Sequence, residues 1–203
     1  MSFKCVTRAI VCALISLCLI GTPISGTELI GTEGNVTTIV VNGFYPSDFN
    51  ELLQLTYGLK KGDTLYLYSQ GPGGNAFVCL SMMNHLIKLK KKGIRIVTES
   101  AGMAASANAC MWIMGDERIV NEGDLIMFHY AIPRGPYGKV DIKDLPPEAQ
   151  WIFKEINHSL RQRLLNIVRD TETVNDMLDE DENWYNAEEL IKLGIATTLN
   201  DTE

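Results

Sequence analysis

The chain has 203 residues, 46% of them hydrophobic, enough apolar material to build the core of a single domain. Its formal net charge of −7 and pI near 5.0 argue against nucleic acid or an anionic membrane surface as the main partner. There is no Gly-x-x-x-x-Gly-Lys-Ser/Thr loop, His-Glu-x-x-His pair or Cys-x-x-Cys pair, so no ATPase of its own, no metal centre and no cofactor are expected.

Residues 1–26 have the layout of a secretory signal peptide. Lys4 and Arg8 give a positive start, residues 9–20 are almost wholly apolar, and residues 21–26 supply small residues and Pro23. The apolar core, about a dozen residues, is short for a spanning helix, and a signal anchor is the alternative. Residues 27–203 form the expected domain, placed in the periplasm or outside the cell, or tethered by an uncleaved leader. Cleavage after Gly26 leaves 16 positive and 25 negative residues, a formal −9. It also removes Cys5, Cys12 and Cys18. Cys79 and Cys110 remain, both on expected buried helices, and suit core residues better than a disulfide. Three Asn-x-Ser/Thr sequons begin at Asn35, Asn157 and Asn200.

Residues 27–35 read as a loose lead-in. The β-branched run 36–42 predicts a strand and 46–57 a helix with Pro46 near its start. Residues 64–69 predict a second strand, followed by a glycine loop, Gln70-Gly71-Pro72-Gly73-Gly74-Asn75. Residues 76–92 predict an amphipathic helix with Phe77, Leu80, Met83 or Asn84, Ile87 and Leu89 inward or nearly so. Its terminal lysines suit the helix dipole. A third strand is expected over 93–98, a small-residue helix over 104–114, and two strands over 117–121 and 124–129. A Pro/Gly-rich connector, 133–147, leads to a long helix over 148–169. An acidic stretch, 170–182, precedes a short helix over 187–193 capped by Gly194, and 195–199 suits a last strand. This alternation implies an α/β fold of βαβ units, with a mainly parallel sheet flanked by helices.

Sites in such sheets form outside the carboxyl ends of the strands. Gly73-Gly74, Ser106 and His129 each follow or close such an end. Ser106 sits where a hydroxyl can be presented to a substrate beside unpaired backbone N–H groups. It also suits an N-cap or a close-packing residue. His129 ends the apolar run 125–128, where a polar side chain needs a reason. It suits a general base or a strand-capping histidine bonded to backbone. Gly73-Gly74 suits either a tight turn or backbone N–H groups brought close to a carbonyl. The acidic run 179–182 reads by default as a solvated face.

Taken together, Gly71-Pro72-Gly73-Gly74, Gly102-Met103-Ala104-Ala105-Ser106 and Leu125-Ile126-Met127-Phe128-His129 resemble the proteolytic subunit of the Clp protease. The ending from Trp184-Tyr185-Asn186 through Leu193-Gly194-Ile195 agrees in order and spacing. The resemblance covers roughly residues 36–199, and the wider superfamily includes signal-peptide peptidase A and the crotonases. It implies a serine peptidase with Ser106 as nucleophile, His129 as base, and the N–H groups of Gly74 and Ala107 as oxyanion donors. The family's acid, an aspartate, falls at Glu182, with Asp181 beside it. Further departures are Gly71 where the family usually has serine, Met103 where it often has glutamine, and Asn108 where it has glycine.

The resemblance also implies a homo-oligomer built of rings joined through the long helix, acting on peptides or unfolded chains. An exported member would lack ATP and the family's ATPase partner, and would act alone. Two rival readings share the fold: a catalytically inactive scaffold or binding module, and a crotonase-like acyl-CoA enzyme.

Overall fold

The computed structural model describes residues 26–135, 138–179 and 182–200. The proposed leader, apart from Gly26, and Asp181 lie outside the described residues. Strand β1 (Thr27–Glu33) runs antiparallel to β2 (Val36–Val41), and helix α1 (Pro46–Thr56) follows. Next come β3 (Thr64–Gly71), α2 (Ala76–Lys91), β4 (Arg95–Ala105), the short α3 (Ala107–Trp112), β5 (Glu117–Asn121) and β6 (Leu125–Phe128). The connector carries a small two-stranded sheet, β7 (Arg134–Gly135) with β8 (Gly138–Lys139). The long α4 (Pro147–Val168), α5 (Thr171–Met177), β9 (Asn183–Asn186), α6 (Ala187–Lys192) and β10 (Thr198–Asn200) complete the chain.

The main sheet has the order β1-β2-β3-β4-β5-β10, parallel from β2 to β10. This is the mainly parallel α/β architecture expected from the alternation of elements. Its edge differs from expectation: residues 27–33 form a strand rather than a loose lead-in. Most of their side chains are exposed, so the ladder to β2, not an apolar face, holds them.

The third strand is also longer than expected, and the reason bears on the site. Residues 97–99 of β4 pair with β5, whereas residues 103–105 pair with β6. The strand changes partner at Gly102, whose φ of +86° suits glycine. The buried carboxylate of Asp124 holds this point. Its Oδ1 accepts the Gly102 N–H at 2.7 Å and its Oδ2 accepts the Asn121 N–H at 2.9 Å. The helix therefore starts at Ala107, not Ala104, because Ala104 and Ala105 are held in the ladder to β6. On the far side of β6, β9 pairs antiparallel with Phe128 opposite Asn183.

Two apolar clusters flank the sheet. One packs α1 and α2 on β2, β3 and β4 through residues such as Leu52, Met82, Leu86 and Ile96. The other packs α4, α5 and α6 on the opposite part through Leu164, Val174, Leu178 and Leu190. The short α3 is shared between them: Ala107 and Met111 belong to the first cluster, Ala109 and Trp112 to the second. Trp112 is fully buried, with its Nε1–H on the Ile119 carbonyl at 2.9 Å. A core tryptophan of this kind contributes about 3–5 kcal/mol relative to alanine, which fixes the helix carrying the first turn after Ser106. No helix among the described residues is long and apolar enough to cross a membrane.

Candidate active site

Ser106 lies between the end of β4 and the start of α3. Its backbone adopts φ 56° and ψ −116°, a region that non-glycine residues avoid. Among the described residues the other non-glycine with positive φ is Arg169, a left-handed helix cap. Neighbouring bonds hold the strained turn. The Ser106 N–H donates to the Met127 carbonyl at 2.9 Å, and the Ser106 carbonyl accepts the Cys110 N–H at 3.0 Å. Strain of this kind, on the order of 1–3 kcal/mol, persists only where the surroundings over-determine it.

The serine occupies the N-cap position of α3, but its hydroxyl caps no helical N–H. It is turned instead toward His129, whose Nε2 lies 2.7 Å from Oγ. The simple N-cap alternative is therefore not what this side chain does. His129 follows the last residue of β6. Parallel pairing of β6 with the second half of β4 is what brings the two side chains together.

Burial lowers the His129 pKa from the ordinary 6.5. The nearby Glu182 carboxylate pulls the other way, and Lys139 and Arg134 reinforce the lowering. The ring is accordingly neutral near pH 7, and one nitrogen can accept the Ser106 proton. The second nitrogen, Nδ1, is buried and has no hydrogen-bond partner among the described residues. Glu182 immediately precedes β9. Continuing the register one step past the Phe128–Asn183 pair sets Glu182 opposite His129. Its carboxylate acts on the ring electrostatically without a hydrogen bond to Nδ1.

The glycine loop closes the other side of the turn. Gly73 has φ +94°, and a Cβ there would lie 2.7 Å from the Ala105 carbonyl oxygen and 2.8 Å from the Ala107 nitrogen. Glycine therefore lets the loop lie directly against the serine turn. Gly74 and Ala107 stand on the two sides of this contact, and both line one cavity of about 720 Å³ with Ser106, His129 and Glu182. The apolar wall is formed by Phe77, Leu80 and Met83 of α2 and Phe153, Ile156 and Leu160 of α4. Asn84, the alternative to Met83 as an inward residue, is exposed.

Some lining residues carry signals that the motif reading passed over. Cys110 is one helical turn beyond Ser106 and lines the cavity with Cys79, whose thiol lies 3.5 Å from the Ala107 carbonyl. Both thiols are free. Arg163 also lines the cavity, at the helical spacing that follows Ile156 and Leu160. Two departures from the family pattern meet in space. A Cβ on residue 71 would sit 3.2 Å from the Asn108 side-chain nitrogen. That amide donates to the Gln70 carbonyl, and the Asn108 carbonyl accepts the Ser69 hydroxyl at 2.8 Å. Among the described residues, no group of three or more His, Cys, Asp or Glu could hold a metal ion.

A search of curated protein sequences finds no match. Among solved structures, a point mutant of ClpP1 from Listeria monocytogenes is similar in fold. Its TM-score is 0.65 at 13% sequence identity, over 82% of this chain and 92% of that one. The family model for Clp protease matches residues 40–203, well over half of the chain and the whole span from β3 to β10 that builds the cavity. The chain belongs to the Clp protease family.

Proposed function

We propose that this member is a working serine peptidase. Ser106 is the nucleophile, His129 the general base, Glu182 the orienting carboxylate, and the N–H groups of Gly74 and Ala107 the oxyanion donors. The observation that carries the reading is the 2.7 Å contact from Ser106 Oγ to His129 Nε2 on a strained turn whose hydroxyl has no capping role.

In the first step His129 Nε2 takes the Ser106 proton as Oγ bonds the scissile carbonyl carbon. The resulting oxyanion faces the two backbone donors. Collapse breaks the C–N bond, and His129 returns the proton to the leaving amine. Water repeats the sequence on the acyl-enzyme and frees Ser106. With Nδ1 protonated, Glu182 steadies the imidazolium that forms. Catalytic hydrogen bonds often tighten only with substrate in place.

The apolar wall beside Ser106 suits peptide side chains. Export, proposed from the leader layout of residues 1–26, makes short peptides or unstructured chains the expected substrates without an ATPase partner. Assembly into rings is proposed from family membership, and an exposed apolar residue on α4, Trp151 at 63%, is consistent with it. The unpartnered Nδ1 favours one second reading, a catalytically silent Clp fold that binds peptides. Hydrolysis of unstructured peptides by the purified chain separates the two. The peptidase reading expects turnover that Ser106→Ala reduces about 10³-fold or more. Unchanged or absent turnover in the correctly folded protein contradicts it.

A further inference from the structure

Resting on the peptidase reading, we propose that Arg163 sets substrate preference by binding an acidic side chain on the residue whose carbonyl Ser106 attacks.

The cavity wall on α4 is built by Phe153, Ile156, Leu160 and Arg163, which recur at helical spacing on one face. The first three are apolar, and Arg163 continues the row with a cation. The residue is partly buried, and the acceptors of its guanidinium among the described residues are neutral. Nη1 donates to the Ser159 carbonyl at 3.2 Å and to the Ser159 hydroxyl, and Nη2 donates to Asn84 Oδ1 at 3.2 Å. Guanidinium has five N–H donors in a planar fork. Among the described residues, the buried Nε donor has no partner. Among the described residues no carboxylate forms an ion pair with Arg163.

A partly desolvated cation without an anion is costly unless something pairs with it. The titratable groups that face it are the thiols of Cys110 and Cys79. Cys79 does not serve as the anion, because its neighbour Cys110 and its own burial push the thiol well above the ordinary range. Among the described residues no carboxylate meets the guanidinium, and a ligand entering the cavity can supply one. The cavity that holds Arg163 also holds Ser106 and His129, and Cys110 links the two regions. The cavity wall shared by Ser106 and Arg163 includes the apolar Met83, Ile156 and Leu160. Glutamate fits those surfaces, with methylenes against Leu160 and Met83 and a carboxylate at the fork. Arginine is the residue suited to such planar, two-pronged recognition.

The test uses three peptidyl-aminomethylcoumarins that differ only in the residue joined to the coumarin: Glu, Gln or Leu. None carries a free C-terminal carboxylate, so any charge preference comes from the side chain. The wild-type chain is expected to favour Glu over Gln by about tenfold or more in kcat/KM, the scale of one charge-assisted hydrogen bond. Arg163→Met should bring that ratio to about one, and Arg163→Lys should retain part of it. Fluorophosphonate labelling of each variant reports whether its serine site is intact. Cleavage by the wild type with Gln equal to or better than Glu overturns the inference and leaves the peptidase reading standing. Failure of the wild type to cleave all three overturns both. Arg134, a second cation lining the cavity, is the rival source of such a preference, and a ratio that persists in Arg163→Met but falls in Arg134→Met assigns it there and overturns the inference.

Discussion

His129 is the residue on which most of the chemistry turns. Its two nitrogens stand in different situations: Nε2 on the serine hydroxyl, Nδ1 buried and unpartnered. Desolvation holds its pKa below 6.5, so the neutral base persists into mildly acidic solution. The acid limb of the kcat/KM–pH profile should therefore have its midpoint below 6.5. Glu182 raises the His129 pKa, since a carboxylate stabilises the imidazolium. Glu182→Gln should thus move the midpoint further to the acid side and, by removing support for the charged intermediate, lower kcat by about 10²-fold or more. A pH–rate series on both proteins checks the two effects together. A midpoint that rises in the variant would show that Glu182 does not act on the ring.

At the level of elements, the site depends on how β4 ends. Strands β2 to β6, the glycine loop and the convergence of Ser106 and His129 on one sheet edge were readable because each was marked by a change of composition. Three features were not. Ala104 and Ala105 are strong helix formers, yet tertiary pairing with β6 keeps them extended. β1 lacks an apolar face and is held by backbone bonds, so periodicity gave no sign of it. β9 is four residues long and polar at both ends, and it alone puts Glu182 opposite His129. The contact between Gly71 and Asn108 was also invisible, because positions 37 apart in sequence meet only through the β3–α3 packing. It yields a testable coupling. Gly71→Ser places an atom against the Asn108 amide at a positive-φ position, and should cost about 1–3 kcal/mol in denaturant unfolding. Asn108→Gly in the same chain should recover part of that loss, as a double-mutant cycle would register. Purely additive losses would mean that the two sites do not communicate.

For the whole molecule, the two apolar clusters meet at α3, so global stability and the serine turn are linked. The long α4 contributes to the cavity on one face and leaves Trp151 in solvent on another. An exposed indole on a helix of 22 residues is a natural contact between copies. Light scattering of the purified chain should give a mass several times the 22.6 kDa of the monomer, and Trp151→Glu should reduce it. A monodisperse monomer in both proteins would remove the ring from the account.

The central claim is that Ser106 is an activated nucleophile, and one measurement addresses it directly. The folded chain is treated with a fluorophosphonate probe, and the modified residue is located by peptide mass spectrometry. The account predicts a single adduct on Ser106, lost in Ser106→Ala and slowed about 10²-fold or more in His129→Ala. An adduct elsewhere, or none on folded, fully assembled protein, would contradict it.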